Sequence, residues 1–335
     1  MSPMKGMILV AGEGLRARPL TNYYAKPALP LPGCRIVTHL IRFLRDAGTD
    51  EIALNLHYKP ETIYQALKDD PVERVRIHPF DEPVLAGSGG GFYRIRDFFG
   101  DKTFVVLNGD SVGNFNLKEM IDFHKNHGGL MTFLCQPDSS RSTRVIDANR
   151  GGEVLSIRKR PASPDSSASY KFCGAMVIEP EIFKYFPDSE VIDLIEDVLI
   201  PTLERGEKIG RVYSPEFIWL DFGTIDDYFK NSFLFLKDFF PETEHVSEYE
   251  KKDNAYTHKS ADIPKTLDIK GTSFIDKNCT IGENCRIKDS ILYHNVFLKN
   301  NTTVENSILL GSPPDNTDLK SSIILPDGDT YQINS

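Results

Sequence analysis

The chain lacks an excess of positive charge, paired cysteines and any long apolar run, and each absence removes a class of function. Lysine and arginine number 39 against 48 aspartates and glutamates, for a formal net charge of −9. This argues against general nucleic-acid binding, which needs a basic surface to neutralise phosphates. It leaves room for a small phosphorylated ligand held by a few local arginines and lysines. The five cysteines, Cys34, Cys135, Cys173, Cys279 and Cys285, include no C-x-x-C pair. Zinc and a disulfide framework are therefore not expected, and reduced thiols in a cytoplasmic protein fit best. The N-terminal apolar stretch Met7–Ala11 is far too short for a signal-peptide core or a membrane span, so no membrane association is expected.

What is present is ordinary for a soluble globular chain: 335 residues, 40% hydrophobic and 26% charged. That length allows one large α/β domain and a smaller one. Strands and helices alternate over the first two-thirds. KGMILVA, EIALNLHY and TFVVLNGD read as buried strands, with RIVTHLIRFLRDAG and PETIYQALKD as helices between them. NLKEMIDFHKNHGG reads as a further helix, and LMTFLC and EVLSIRK as strands. This order predicts an α/β fold with a mostly parallel sheet covered by helices, whose ligands belong at the carboxyl ends of the strands. PASPDSSAS (161–169) reads as a surface loop, and residues 241–265 as a polar linker or an exposed helix with loose flanks.

After residue 265 the rhythm changes. Ile269, Ile275, Ile281 and Ile287 recur every six residues with small or polar residues between them, and IKDSIL returns as VENSIL and, more loosely, as LKSSII. A period of six suits β rungs that turn one aliphatic residue inward, and a coiled parallel β-helix is expected here in preference to ordinary hairpins. Its edges need covering, which makes this tail a candidate for packing against another subunit.

The stretch LVAGEGLRARPLT (9–21) admits three readings. GEGLRA fits the dinucleotide fingerprint, but Pro19, Pro27, Pro30 and Pro32 exclude the long helix that must follow it. The next strand also ends in His57 and Tyr58 rather than a carboxylate. No Gly-Lys-Ser/Thr follows, so a P-loop is excluded too. There remains a glycine-rich, non-helical loop with Arg16, Arg18 and Lys26, suited to a triphosphate, or else a simple turn with solvated basic residues.

AGEGLRARPLTNYYAKPALPL (11–31) resembles the signature of the sugar-phosphate nucleotidyltransferases, A-G-x-G-T-R-L-x-P-L-T…P-K-P-L-x-P. The resemblance continues through LAGSGGG (85–91), LNGD (107–110), WLDFGT (219–224) and the six-residue repeats. It implies a Rossmann-like domain over 1–240 with helices on both faces, and after the linker a short left-handed β-helix over 266–335. The implied reaction is attack of a sugar-1-phosphate on the α-phosphorus of a nucleoside triphosphate, with release of pyrophosphate. Under it, Arg16 holds the leaving phosphates and Lys26 neutralises charge between the substrates. Ala11, Gly12 and Gly14 cradle the nucleotide, and Gly87, Ser88, Gly89 and Gly90 recognise its base. Asp110 and Asp221 hold Mg²⁺.

The chain departs from the family at Leu15, where a threonine is usual, and along the sugar-phosphate side. There it carries Arg144, Lys159 and Arg160 in place of a glycine, a glutamate and a lysine, and Cys173, followed by Gly174, where an asparagine is usual. Two functions follow from the resemblance. The leading one is nucleotidyl transfer, guanylyl to mannose-1-phosphate or a related manno-configured sugar. The alternative is a catalytically weak subunit that senses nucleotide or nucleotide-sugar. A homo-oligomer formed through the β-helix is expected in either case.

Overall fold

The structure, a computed structural model, describes residues 4–138, 145–314 and 318–333. The chain divides into two compact units. The first comprises Met1–Glu13, Ala25–Pro27 and Val37–Trp219, and the second Gly14–Tyr24, Ala28–Ile36 and Leu220–Ser335.

The first unit is built on a nine-stranded sheet: β1 (Met4–Leu9), β2 (Thr49–Leu56), β3 (Arg76–Asp81), β4 (Phe104–Asn108), β5 (Met131–Pro137), β6 (Val145–Ala148), β7 (Val154–Ile157), β8 (Ala168–Ile178) and β9 (Gly210–Tyr213). Its main path runs β7-β6-β8-β4-β1-β2-β3, with β5 beside β8 and β9 beside β5. The strands β4, β1, β2 and β3 are parallel to one another. The apolar runs of β4, β1 and β2 are buried almost completely, as expected of strands covered on both faces, whereas β3 at the sheet's edge is half-buried or exposed throughout. The crossovers carry α1 (Ile36–Asp46), α2 (Pro60–Asp69) and α3 (Gly87–Arg94), and α4 (Leu117–His127) follows β4. Each predicted strand and helix falls on one of these elements. Pro60 opens α2 as its first residue, and Gly48, at φ 100, ends the turn after α1.

Strand β8 is antiparallel to its neighbours and longer than they are. Ala175–Ile178 pair with Leu107–Phe104, whereas Ala168–Lys171 pair with β6. The pairing with β5 slips between Phe172 and Met176, and Gly174 takes φ 80 in the slip. Such a bulge bends a strand and re-aims its side chains.

In the second unit, residues 268–314 and 318–324 form a coil of short parallel strands. Ile269 pairs in register with Ile287, and Ile287 with Val304. On another face Ile275, Leu292, Leu309 and Ile324 are paired in succession. The six-residue period is therefore one side of a three-sided rung, and Ile275, Ile281 and Ile287 point inward as expected, each at most 4% exposed. Asn278, Asn284, Asp289, Asn295, Asn301 and Asn306 occupy the corners with positive φ, which asparagine and aspartate tolerate better than most residues.

The reading of 241–265 as a linker is corrected. Tyr249–Lys252 and Ala255–His258 pair as an antiparallel hairpin that joins the coil's seven-stranded sheet. The cause is aromatic. The rings of Tyr249, Tyr256 and Phe274 surround Phe240 at 5.0–5.2 Å, and the Tyr249 hydroxyl donates to Asp276 at 2.6 Å. The polar composition of the segment hides these anchors. Helix α5 (Ile225–Asp238), capped by the Thr224 hydroxyl, also belongs to this unit.

Candidate functional site

The carboxyl ends of β1, β2 and β4 open into a cavity of about 290 Å³. It is lined by Ala11 and Gly12 after β1, Asn55 near the end of β2, and Asn108, Gly109 and Asp110 at the end of β4. Lys26, Pro27, Leu85, Gly87 and Ser88 complete the wall. This is where a parallel sheet presents its ligand. Lys26 reaches Asp110 Oδ2 at 3.0 Å, with its own side chain only 12% exposed. A cation and a carboxylate thus meet at one end of a cavity otherwise built from backbone and small side chains.

Two residues that the sequence did not single out hold this wall together. Asn55 Oδ1 accepts from the Val10 amide at 2.9 Å, and Asn55 Nδ2 donates to Glu82 Oε1 at 2.8 Å. The second oxygen of Glu82 accepts from the Ala86 amide at 3.1 Å. One buried pair therefore ties the end of β1 to the start of α3. A Cβ at Gly91 lies 2.9 Å from both Asn55 Nδ2 and Glu82 Oε1, so any larger residue there must displace this pair.

The run Gly87–Gly91 is the first part of α3 rather than a bare loop. Gly89 and Gly90 amides donate to Ile192 O, and the Ile192 amide donates to Ala86 O. Gly87 has φ 81, and a Cβ on it lies 2.5 Å from Ile192 O. Gly87 and Ser88 line the cavity, whereas Gly89 and Gly90 pack against residues 190–194. These glycines serve close backbone packing.

In the second unit the segment after Gly14 forms short 3₁₀ turns at Leu15–Ala17 and Leu20–Asn22, in keeping with its prolines. Gly14 takes φ 65 and its carbonyl accepts from Thr21 Oγ1. Arg16 and Asp221 are neighbours: a Cβ on Gly223 lies 3.0 Å from Asp221 Oδ1 and 3.3 Å from Arg16 Nη2. Leu15 is 55% exposed. The Tyr23 hydroxyl, in the same segment, donates to Asp327, which pushes its pKa up to about 12.

The sugar-side candidates divide. Cys173 and Gly174 line a small cleft with Asn108 and Ser111, and Asn108 also lines the larger cavity. Arg160 is paired with Glu196 at 3.0 Å and with Glu204 at 3.1 Å, and Arg158 with Glu196 at 2.6 Å. The positive charge gained along this stretch is thus offset locally. Lys159 lies exposed in the same turn with φ 62. Arg144 lies outside the described residues. Among the described residues, no group of three or more histidines, cysteines, aspartates or glutamates is placed to hold a metal. None of their helices is long and apolar enough to cross a membrane.

Comparison with known proteins agrees with this geometry. Residues 5–237 match the nucleotidyl transferase family, and residues 251–312 match the GMPPB C-terminal domain. A UTP–glucose-1-phosphate uridylyltransferase from Synechocystis is 29% identical over 68% of this chain and 62% of its own length. A mannose-1-phosphate guanyltransferase from Saccharomyces cerevisiae is 31% identical over 70% of this chain and 65% of its own. The chain thus spans less than two-thirds of the length of these curated relatives. The crystal structure of HddC from Yersinia pseudotuberculosis shares the fold, with a TM-score of 0.58 at 22% identity, over 69% of this chain and 99% of that one.

Proposed function

The chain belongs to the nucleotidyl transferase family, and from that premise we propose that it transfers a nucleotidyl group, guanylyl by preference, from a nucleoside triphosphate to a sugar-1-phosphate. The observation that carries this reading is the cavity at the carboxyl ends of β1, β2 and β4, with Lys26 and Asp110 at one end. The nucleotide lies along Ala11, Gly12, Gly87 and Ser88, where small residues let backbone amides approach phosphate oxygens. An oxygen of the sugar-1-phosphate attacks the α-phosphorus, and the bond to pyrophosphate breaks. Lys26 offsets the negative charge that gathers between the two anions. Catalysis of this kind is positioning and charge neutralisation, with no covalent nucleophile.

For Mg²⁺ the cavity itself supplies one carboxylate, Asp110, one-third exposed and engaged by Lys26 through Oδ2, while Asp221 is a donor by resemblance alone. Bound there with phosphate oxygens completing its shell, the ion would supply Lewis acidity and a clamp. The preference for guanine and a manno-configured sugar is supported by the relatives named for that activity, including one from Arabidopsis thaliana. Self-association through the coil belongs to the same reading and is supported by the half-exposed Phe297 on its two-stranded face. A cytoplasmic location is supported by five buried cysteines, none in a disulfide.

Pyrophosphate release tests the reading, measured for ATP, CTP, GTP, UTP and dTTP with mannose-1-phosphate or glucose-1-phosphate and Mg²⁺. Release that requires both substrates and is fastest with GTP and mannose-1-phosphate is expected. Fastest release with UTP and glucose-1-phosphate overturns the substrate assignment, and no release in any combination overturns the transfer itself.

A further inference from the structure

We infer that Lys171, held against Trp219, anchors the phosphate of the acceptor. The inference rests on the transferase reading for the identity of that acceptor. Strand β8 runs past β4: Ala175 is already level with Leu107, so the residues before Gly174 lie beyond the end of β4 and pair with β5 and β6 instead. Lys171 lies there, three residues and roughly 10 Å of extended strand beyond Gly174. This is the edge on which the cavity opens. Cys173, which stands between Lys171 and Gly174 along the strand, lines the cleft beside Asn108.

Lys171 is held by an aromatic ring rather than by a carboxylate. Its ammonium stands 4.2 Å from the ring centroid of Trp219, and no carboxylate pairs with it among the described residues. Of the neighbouring cations, Arg158 and Arg160 are both engaged by glutamates, and Lys159 is exposed in the turn between them. The indole Nε1 of Trp219 is buried without a hydrogen-bond partner among the described residues. Gln136, level with Lys171 on β5, donates to Phe217 O at 2.9 Å and so steadies the segment that carries the tryptophan. An unpaired ammonium beside an unpaired N–H makes an anion site, and the anion an acceptor brings to this edge is a phosphomonoester.

Trp219 is the only tryptophan in the chain, so intrinsic fluorescence reports on this position alone. The whole protein is titrated with mannose-1-phosphate, inorganic phosphate and mannose. The expected result is a saturable change with mannose-1-phosphate, a weaker competing one with phosphate, and none with mannose. Lys171→Gln weakens mannose-1-phosphate binding by about tenfold or more, while Lys171→Arg, which keeps charge and stacking, retains most of it. Binding of a fluorescent GTP analogue is unchanged in both. The inference is overturned by an unaltered affinity in Lys171→Gln, by an equal response to mannose, or by no saturable response in the unmodified protein. The two readings fail separately. Pyrophosphate release with an unchanged KM for the sugar phosphate in Lys171→Gln removes the anchor and leaves transfer standing. Sugar-phosphate binding that depends on Lys171 in a protein that releases no pyrophosphate does the reverse.

Discussion

Gly12 and Gly109 both line the cavity, yet a methyl group added to each meets different surroundings. At Gly109 it lies 2.4 Å from Leu9 O and 2.9 Å from Pro27, whereas at Gly12 it meets nothing within 4 Å. Gly109→Ala is therefore expected to lower unfolding stability by about 1–3 kcal/mol through overpacking. Gly12→Ala is expected to stay within about 0.5 kcal/mol of the unmodified protein, yet to weaken nucleotide binding because its methyl group enters the ligand's space. Chemical denaturation and nucleotide titration of the two variants separate these effects. Asp110 and Lys26 were legible in the sequence because each stands in a local signature, one after an apolar strand and one in a proline-bracketed basic loop. Asn55 and Glu82 were not. Their roles arise from a contact 27 residues apart in the chain, and neither residue type is unusual where it stands.

Among the elements, the coil was the most legible because its period is written directly as recurring isoleucines. The serines beside them carry a second pattern. Ser273, Ser290, Ser307 and Ser322 stack at equivalent positions, and the hydroxyls of the first three each accept from the amide of the serine one rung on, at 3.1–3.3 Å. Ser290→Ala leaves the buried Ser307 amide without that acceptor and is expected to cost about 1–3 kcal/mol, read as a lower denaturation midpoint. In the first unit, α4 places His124 between Thr132 Oγ1 at 2.8 Å and Glu179 Oε1 at 3.0 Å. Burial lowers its pKa, against the opposing pull of Glu179 and with a small further push from Lys125. The folded protein thus binds this proton less readily than the unfolded chain does. Stability from this group is complete above the ordinary histidine pKa and declines as pH falls below about 6.5. Thermal unfolding across that range is expected to show an acid limb that is flatter in His124→Gln; an equally steep limb would remove His124 as its source. The hairpin at Tyr249–His258 escaped the sequence because its charged residues outnumber the two tyrosines that hold it in place.

For the whole molecule, a net charge of −9 coexists with a few cations set at chosen points. Lys26 stands in the cavity, Arg16 beside Asp221, and Lys171 in the part of β8 that runs past β4. The central claim is that the Lys26–Asp110 end of the cavity serves nucleotidyl transfer. Its most direct test is pyrophosphate release from GTP and mannose-1-phosphate with Mg²⁺, measured side by side for the unmodified protein and for Asp110→Asn, with unfolding midpoints in parallel. The account predicts that release requires both substrates and falls by about a hundredfold or more in Asp110→Asn, in a protein that unfolds as before. Release that persists undiminished in Asp110→Asn would contradict it.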